Sequence, residues 1–156
     1  MAEDENNRTI TVNRQAYHDY FVDETYEAGI VLAGTEVKSI RAGHANLRGA
    51  YARVKDDEVW LEGAHISPYE QGSSMNQEPM RPRKLLLHRR EIERLVGRVQ
   101  TKGLTLIPLK MYIKENRVKI EIGLCRGKKL YDKREAIAKR DSDRELARIA
   151  KQRLRG

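Results

Sequence analysis

The sequence predicts a mainly β fold: an OB-fold-like antiparallel β-barrel with short helices between its strands and a basic C-terminal tail. Three observations carry that prediction. Short runs rich in β-branched and aromatic residues recur between turn-forming pairs. One pair of runs alternates apolar and polar residues regularly enough to define a hairpin with two different faces. Positive charge gathers at the C-terminal end. At 156 residues the chain suits one domain with a single hydrophobic core.

The first dozen residues, 1–12, lack an apolar pattern and are expected to form a flexible arm. From Tyr20 to Leu32 aromatic and β-branched residues predict a long strand, with Gly29 marking a bulge or bend inside it. Residues 34–43 predict a short helix, with Thr35 as N-cap, Val37 and Ile40 on one face and Gly43 as the stop. Residues 50–54 and 58–62 read as strands joined by the turn Lys55-Asp56-Asp57. Pro68 to Pro82 holds three prolines and reads as a long exposed loop. Ile92, Leu95, Val96 and Val99 fit the spacing of one helix face, closed by Gly103.

The hairpin that follows is the clearest pattern. Leu109, Met111 and Ile113 alternate with Lys110, Tyr112 and Lys114; beyond Glu115-Asn116, Val118, Ile120, Ile122 and Leu124 alternate with Lys119, Glu121 and Gly123. One face is core, and the other is basic with a tyrosine on it. About six antiparallel strands in so small a domain favour closure into a barrel, since closure removes exposed edges. Residues 13–130 are expected to form that barrel, and 131–156 a basic tail that is disordered when free.

The chain has 31 Lys and Arg against 23 Asp and Glu, a net charge of +8. From Arg126 to Gly156 there are 12 basic and 5 acidic residues, so this stretch carries +7 and leaves the body nearly neutral. A neutral body with a cationic arm suits a polyanionic partner, with a solubilising tail as the alternative. A single cysteine, Cys125, allows no internal disulfide, and the acidic N-terminus is unlike a targeting segment. With no apolar run near the ~20 residues of a membrane span, the expectation is a cytoplasmic monomer with no membrane partner.

No phosphate loop, His-Glu-x-x-His or Cys-x-x-Cys is present, and the four histidines are widely spaced, so neither a metal nor another cofactor is expected. His18 and Glu27 flank the first long strand and could form a general acid/base pair, the basis of a rival reading as an RNA-cleaving or RNA-modifying enzyme. Residues 13–20 bring amide, guanidinium, phenol and imidazole groups together. Such groups stack on unpaired bases and bond to their edges, although the same composition suits a polar helix cap beside core tyrosines. Arg81, Arg83 and Lys84 form a basic cluster before a helix, suited to phosphate or to a solvated charged face. Around Gly127, the cations Arg126, Lys128 and Lys129 bracket a flexible exit from the last strand, suited to close phosphate approach. Further on, Leu146, Ile149 and Ala150 make an apolar stripe too narrow to hold an isolated helix.

With these residues in view, the sequence resembles the small protein B family, the SsrA-binding proteins of bacterial trans-translation. The resemblance runs from about Asn13 to the C-terminus, through Tyr26-Glu27-Ala28-Gly29, the run from Gly34 to Gly43, Arg83-Lys84-Leu85-Leu86-Leu87, Gly127-Lys128-Lys129 and Asp132-Lys133-Arg134. It implies an OB-fold-like barrel that binds the tRNA-like domain of transfer-messenger RNA (tmRNA) and replaces its missing anticodon arm, with no catalytic site. RNA-facing roles would fall to Asn13, Arg14, Tyr17, His18, Glu27, Arg41, Arg83, Lys84, Leu86, Lys119, Arg126, Gly127, Lys128 and Lys129, with Glu27 accepting bonds from a base edge or orienting His18. Tyr131, Asp132, Lys133 and Arg134 would lie near the decoding centre of the small ribosomal subunit, and the tail around Ile149 in the empty mRNA channel. The implied partners are tmRNA and the ribosome, with elongation factor Tu (EF-Tu) and alanyl-tRNA synthetase reached through the RNA. Some members carry histidine where Tyr131 stands, and some have tryptophan near Ser142, so the tail's apolar grip here would rest on Ile149 and its neighbours. A structural ribosomal protein is a third reading.

Overall fold

The computed structural model describes residues 6–70, 75–101 and 103–128, together with 144, 147 and 148. The described residues form nine strands and three helices in the order β1 (Arg8–Val12), α1 (Arg14–Asp19), β2 (Tyr20–Ile30), α2 (Gly34–Arg41), β3 (Ala45–Asn46), β4 (Tyr51–Lys55), β5 (Glu58–Glu62), β6 (His65–Ile66), β7 (Arg83–Leu86), α3 (Arg89–Val99), β8 (Leu104–Lys114) and β9 (Arg117–Gly127). The main sheet runs β1-β8-β4-β5-β7-β2-β9 and is antiparallel throughout. A further β8–β9 pairing closes β8-β4-β5-β7-β2-β9 into a ring. The expected barrel is therefore present, and its closure leaves few unpaired edges.

The N-terminal arm is shorter than expected. Arg8 to Val12 pair with β8, where Thr9, Ile10, Thr11 and Val12 extend the edge that β4 leaves after its pairing at Leu106. All four of these residues are β-branched, which suits a strand, and Ile10 packs on the core. The bulge in β2 also differs from expectation. Its register shifts between Val22 and Glu24, not at Gly29, which is paired on both sides, with Leu86 of β7 and Lys119 of β9.

The N-cap of α2 is Ala33 in place of Thr35. The Glu36 carboxylate accepts the Ala33 N–H at 2.9 Å, while Thr35 donates to the Met75 carbonyl. Gly43, at φ +84°, stops the helix as expected. The turns Asp56-Asp57 and Glu115-Asn116 both take positive φ, the mirror-image turn that matches strand twist in tight hairpins.

Inside the ring, Ala28, Val59, Leu61, Leu85, Leu106, Met111, Ile120, Ile122 and Leu124 pack with Ile40 of α2 and Leu95 of α3. Each large side chain so buried contributes about 1.5–3 kcal/mol. On the outer face α1 makes a second, smaller core: Ala16 lies with Ile107, Leu109 and Cys125, and Tyr20 and Val22 pack beside them. Gly123 makes that seat possible, since a Cβ there would meet Leu109 Cδ1 at 2.8 Å and Cys125 Sγ at 3.0 Å.

Candidate nucleic-acid interface

Strand register determines which candidate residues share a surface. Ile120 and Ile122 of β9 point into the barrel, so the alternate residues Lys119 and Glu121 point outward. Gly29 lies between Lys119 and Leu86 in register, and Glu27 lies opposite Glu121. Leu86 is 51 % exposed, the outward neighbour of the buried Leu85. Residues from three separated segments, Glu27, Leu86 and Lys119, thus come together on one outer face.

Two residues from the polar side of the β8 hairpin complete this patch, although their sequence pattern marked them only as a basic face. Tyr112 pairs with Lys119 in register, and its hydroxyl donates to Glu27 Oε2 at 2.5 Å; Lys114 Nζ lies 3.4 Å from the same oxygen. The Tyr112 hydrogen bond, reinforced by Lys114, holds the Glu27 carboxyl below the usual carboxylate range. Lys110 pairs with Glu121 at 3.2 Å and sits 5.3 Å over the Tyr112 ring. The face is therefore less basic than its lysines suggest, because carboxylates alternate with them.

Glu27 does not meet His18. It stands roughly 20 Å from Tyr20 along β2 at about 3.3 Å per residue, while the His18 ring contacts Asp19 at 2.9 Å on exposed α1. The His18–Glu27 pair on which the rival enzymatic reading rests is not formed, because strand extension separates two residues that sequence distance keeps close. Among the described residues no group of His, Cys, Asp and Glu has the geometry to hold a metal ion.

A second group surrounds the other end of β2 and β9. Arg14, Tyr17 and His18 are exposed on α1, and Lys128 donates to the Tyr17 carbonyl at 3.1 Å while sitting 5.2 Å over the Phe21 ring. Tyr17 and Phe21 are both large exposed aromatics, whereas Phe21 reads in sequence as an ordinary strand residue. Arg126, beside Gly127, forms an ion pair with Asp23 at 2.7 Å. Lys84, on the same outward side of β7 as Leu86, is paired with Glu58 at 2.9 Å, and the Arg41 guanidinium bonds Asn116 in the β8–β9 turn.

Two candidates are structural. Arg83 is 1 % exposed: its Nε bonds Glu36 at 2.7 Å, and its terminal nitrogens donate to the carbonyls of Ala64 and Pro79 at 2.9 and 3.0 Å. Strand alternation turns Arg83 inward and Lys84 outward, so Arg83 is not available to RNA. Asn13 is 5 % exposed and caps α1, accepting the Ala16 N–H and donating to the carbonyls of Leu47 and Pro108. Of the two readings open for residues 13–20, the helix cap holds for Asn13. Lys129, Tyr131, Asp132, Lys133, Arg134 and Ile149 lie outside the described residues.

The model of the SmpB protein family matches residues 10–152. The chain belongs to the SmpB family. Its sequence is 61 % identical over 147 residues to an SsrA-binding protein of Chloroflexus aggregans, covering 94 % of this chain and 93 % of that one. With the SsrA-binding protein of Acetivibrio thermocellus the identity is 59 % over 155 residues, covering 99 % and 100 %. A solved chain described as "tmRNA-SmpB: a journey to the center of the bacterial ribosome" is 55 % identical, with a TM-score of 0.65 over 76 % of this chain and 83 % of that one. The SmpB barrel described above is thus shared with a relative of known structure.

Proposed function

We propose that this protein binds the tRNA-like domain of transfer-messenger RNA through the outer face of β2, β7, β8 and β9 and delivers it to stalled ribosomes. One observation carries the reading: Glu27, Leu86 and Lys119, from three separate strands, converge with Tyr112 and Lys114 on one exposed face. Leucine and tyrosine offer apolar surface to an unstacked base or ribose, the lysines meet phosphate, and the carboxylate accepts from a base edge. Close relatives named as SsrA-binding proteins support the choice of RNA, and the tmRNA-SmpB structure supports the ribosome as second partner. The protein acts as an adaptor with no reaction of its own. Arg14, Tyr17, His18, Phe21, Lys128 and Lys129 extend the RNA contact toward the root of the tail.

The tail then engages the small subunit, with Tyr131, Asp132, Lys133 and Arg134 at the decoding centre and the stretch around Ile149 in the vacant mRNA channel. EF-Tu and alanyl-tRNA synthetase are reached only through the RNA. The test is binding of the purified chain to a tRNA-like RNA and to an unrelated duplex at ordinary salt. Leu86→Ala is expected to weaken the tRNA-like complex by about tenfold, from the loss of about two covered methylene equivalents at ~0.8 kcal/mol each. Lys119→Ala should lower the salt slope by about one unit for one lost phosphate contact. Equal affinity of the wild-type protein for the two RNAs defeats the proposal.

A further inference from the structure

Gly29 lies within β2, hydrogen-bonded into the sheet on both sides, where glycine weakens a strand and needs a compensating reason. The usual reasons do not apply to it. The bulge of β2 lies at Asp23, and the positive-φ glycines among the described residues are Gly43, Gly49, Gly63 and Gly103. What remains is space. A Cβ on Gly29 would lie 3.3 Å from Leu86 Cβ, tighter than side chains ordinarily pack, and in plain contact with Leu86 Cδ1 at 3.6 Å. The leucine, half exposed, stands across Gly29 from Lys119, with Glu27 two residues along β2.

We infer that Gly29 is a positioning residue: its missing side chain lets Leu86 lie against the sheet as the apolar platform of the RNA-binding face. The inference rests on the reading that this face binds RNA. A side chain at position 29 would lift or rotate Leu86 away from Lys119 and Glu27 while leaving the barrel interior untouched, because position 29 points outward. The effect on folding has the opposite sign to the effect on binding. A β-branched residue suits a strand better than glycine, so the barrel should be held at least as firmly.

The experiment compares Gly29→Val, Gly29→Ala, Leu86→Ala and the double variant Gly29→Val/Leu86→Ala in the full chain. Affinity for a tRNA-like RNA, Tm and the Leu86 methyl resonances are measured. Gly29→Val is expected to bind at least fivefold more weakly, with Tm unchanged or raised and the Leu86 methyl signals shifted. Gly29→Ala, which demands only a few tenths of an ångström from Leu86, should show the same changes at smaller size and serves if the valine variant fails to fold. In the double variant the valine should cost less than twofold beyond Leu86→Ala alone. Wild-type affinity in Gly29→Val, alongside weakened binding in Leu86→Ala, overturns the inference and leaves the RNA face standing. Losses that multiply in the double variant also overturn it. Unchanged affinity in Leu86→Ala removes the RNA face itself, and this inference with it.

Discussion

Glu36 shows how one side chain ties distant segments together. Its carboxylate accepts from the Ala33 N–H at the start of α2, from Arg81 in the long loop and from the buried Arg83 of β7. Burial alone would raise its pKa, but Arg81, the Ala33 N–H and Arg83 together hold it below the usual carboxylate range. Glu36→Ala would leave the Arg83 guanidinium buried without its counter-charge, and a loss of about 3–5 kcal/mol in urea unfolding is expected. The pH dependence follows from the depressed pKa. The stabilising contribution of Glu36 is complete above the ordinary carboxylate pKa and falls away as pH drops below it, so wild type should lose more stability on acidification than Glu36→Ala. Equal acid sensitivity in the two proteins would contradict that role. Sequence alone could not assign Arg83 correctly, because Arg83 and Lys84 are adjacent, alike in charge and followed by three leucines that show no alternation. The partner that distinguishes them stands 47 residues earlier. Glu27, in contrast, was recognisable as a surface residue, but its true neighbour Tyr112 is 85 residues away and His18 only looked close.

Among the elements, the β8–β9 hairpin was the most legible, since apolar and polar residues alternate from Lys110 to Lys114 and from Val118 to Leu124 around a short turn. The register shift between Pro108 and Lys110 nevertheless puts Leu109 in the second core and not on the face of Met111. Helix α3 was legible for the same reason, its apolar residues repeating at helical spacing above the buried Leu95. Strand β1 was missed: Thr9-Ile10-Thr11-Val12 is a β-branched run, but so short a run becomes a strand only by pairing with β8, about a hundred residues on. The second core under α1 was hidden too: Ala16, Leu109 and Cys125 come from three distant segments. Gly123 tests that seat. A methyl group there must displace Leu109 or Cys125, so Gly123→Ala is expected to cost about 1–3 kcal/mol in Tm or urea measurements, an overpacking effect. Cys125 in the same seat is fully buried, and burial, with Asp23 nearby, raises its thiol to about 11. It should resist alkylation at neutral pH until the protein unfolds, and its contribution to stability should fade as pH rises from about 9 toward 11, because the unfolded thiol ionises first. Rapid labelling under native conditions would show that α1 does not cover it.

For the whole molecule, charge divides the labour. The body is nearly neutral and the face proposed to bind RNA mixes lysines with paired carboxylates, so on that proposal recognition there depends on shape, apolar contact and a few phosphates. The stretch from Arg126 onward carries +7 and suits a long run of ribosomal phosphates. These two modes predict different salt behaviour. Binding of the tRNA-like RNA to a chain ending at Tyr131 should keep most of the full-length affinity and show a shallow dependence of log K on log salt. Association of the full chain with stalled ribosomes should weaken far more steeply, by about 0.7–0.9 units of slope for each phosphate the tail neutralises. The shortened chain should also fail to support tagging of stalled nascent chains in a reconstituted translation reaction. Were it to tag them at the full-length rate, ribosome engagement would belong to the barrel, and the basic extension would serve solubility alone.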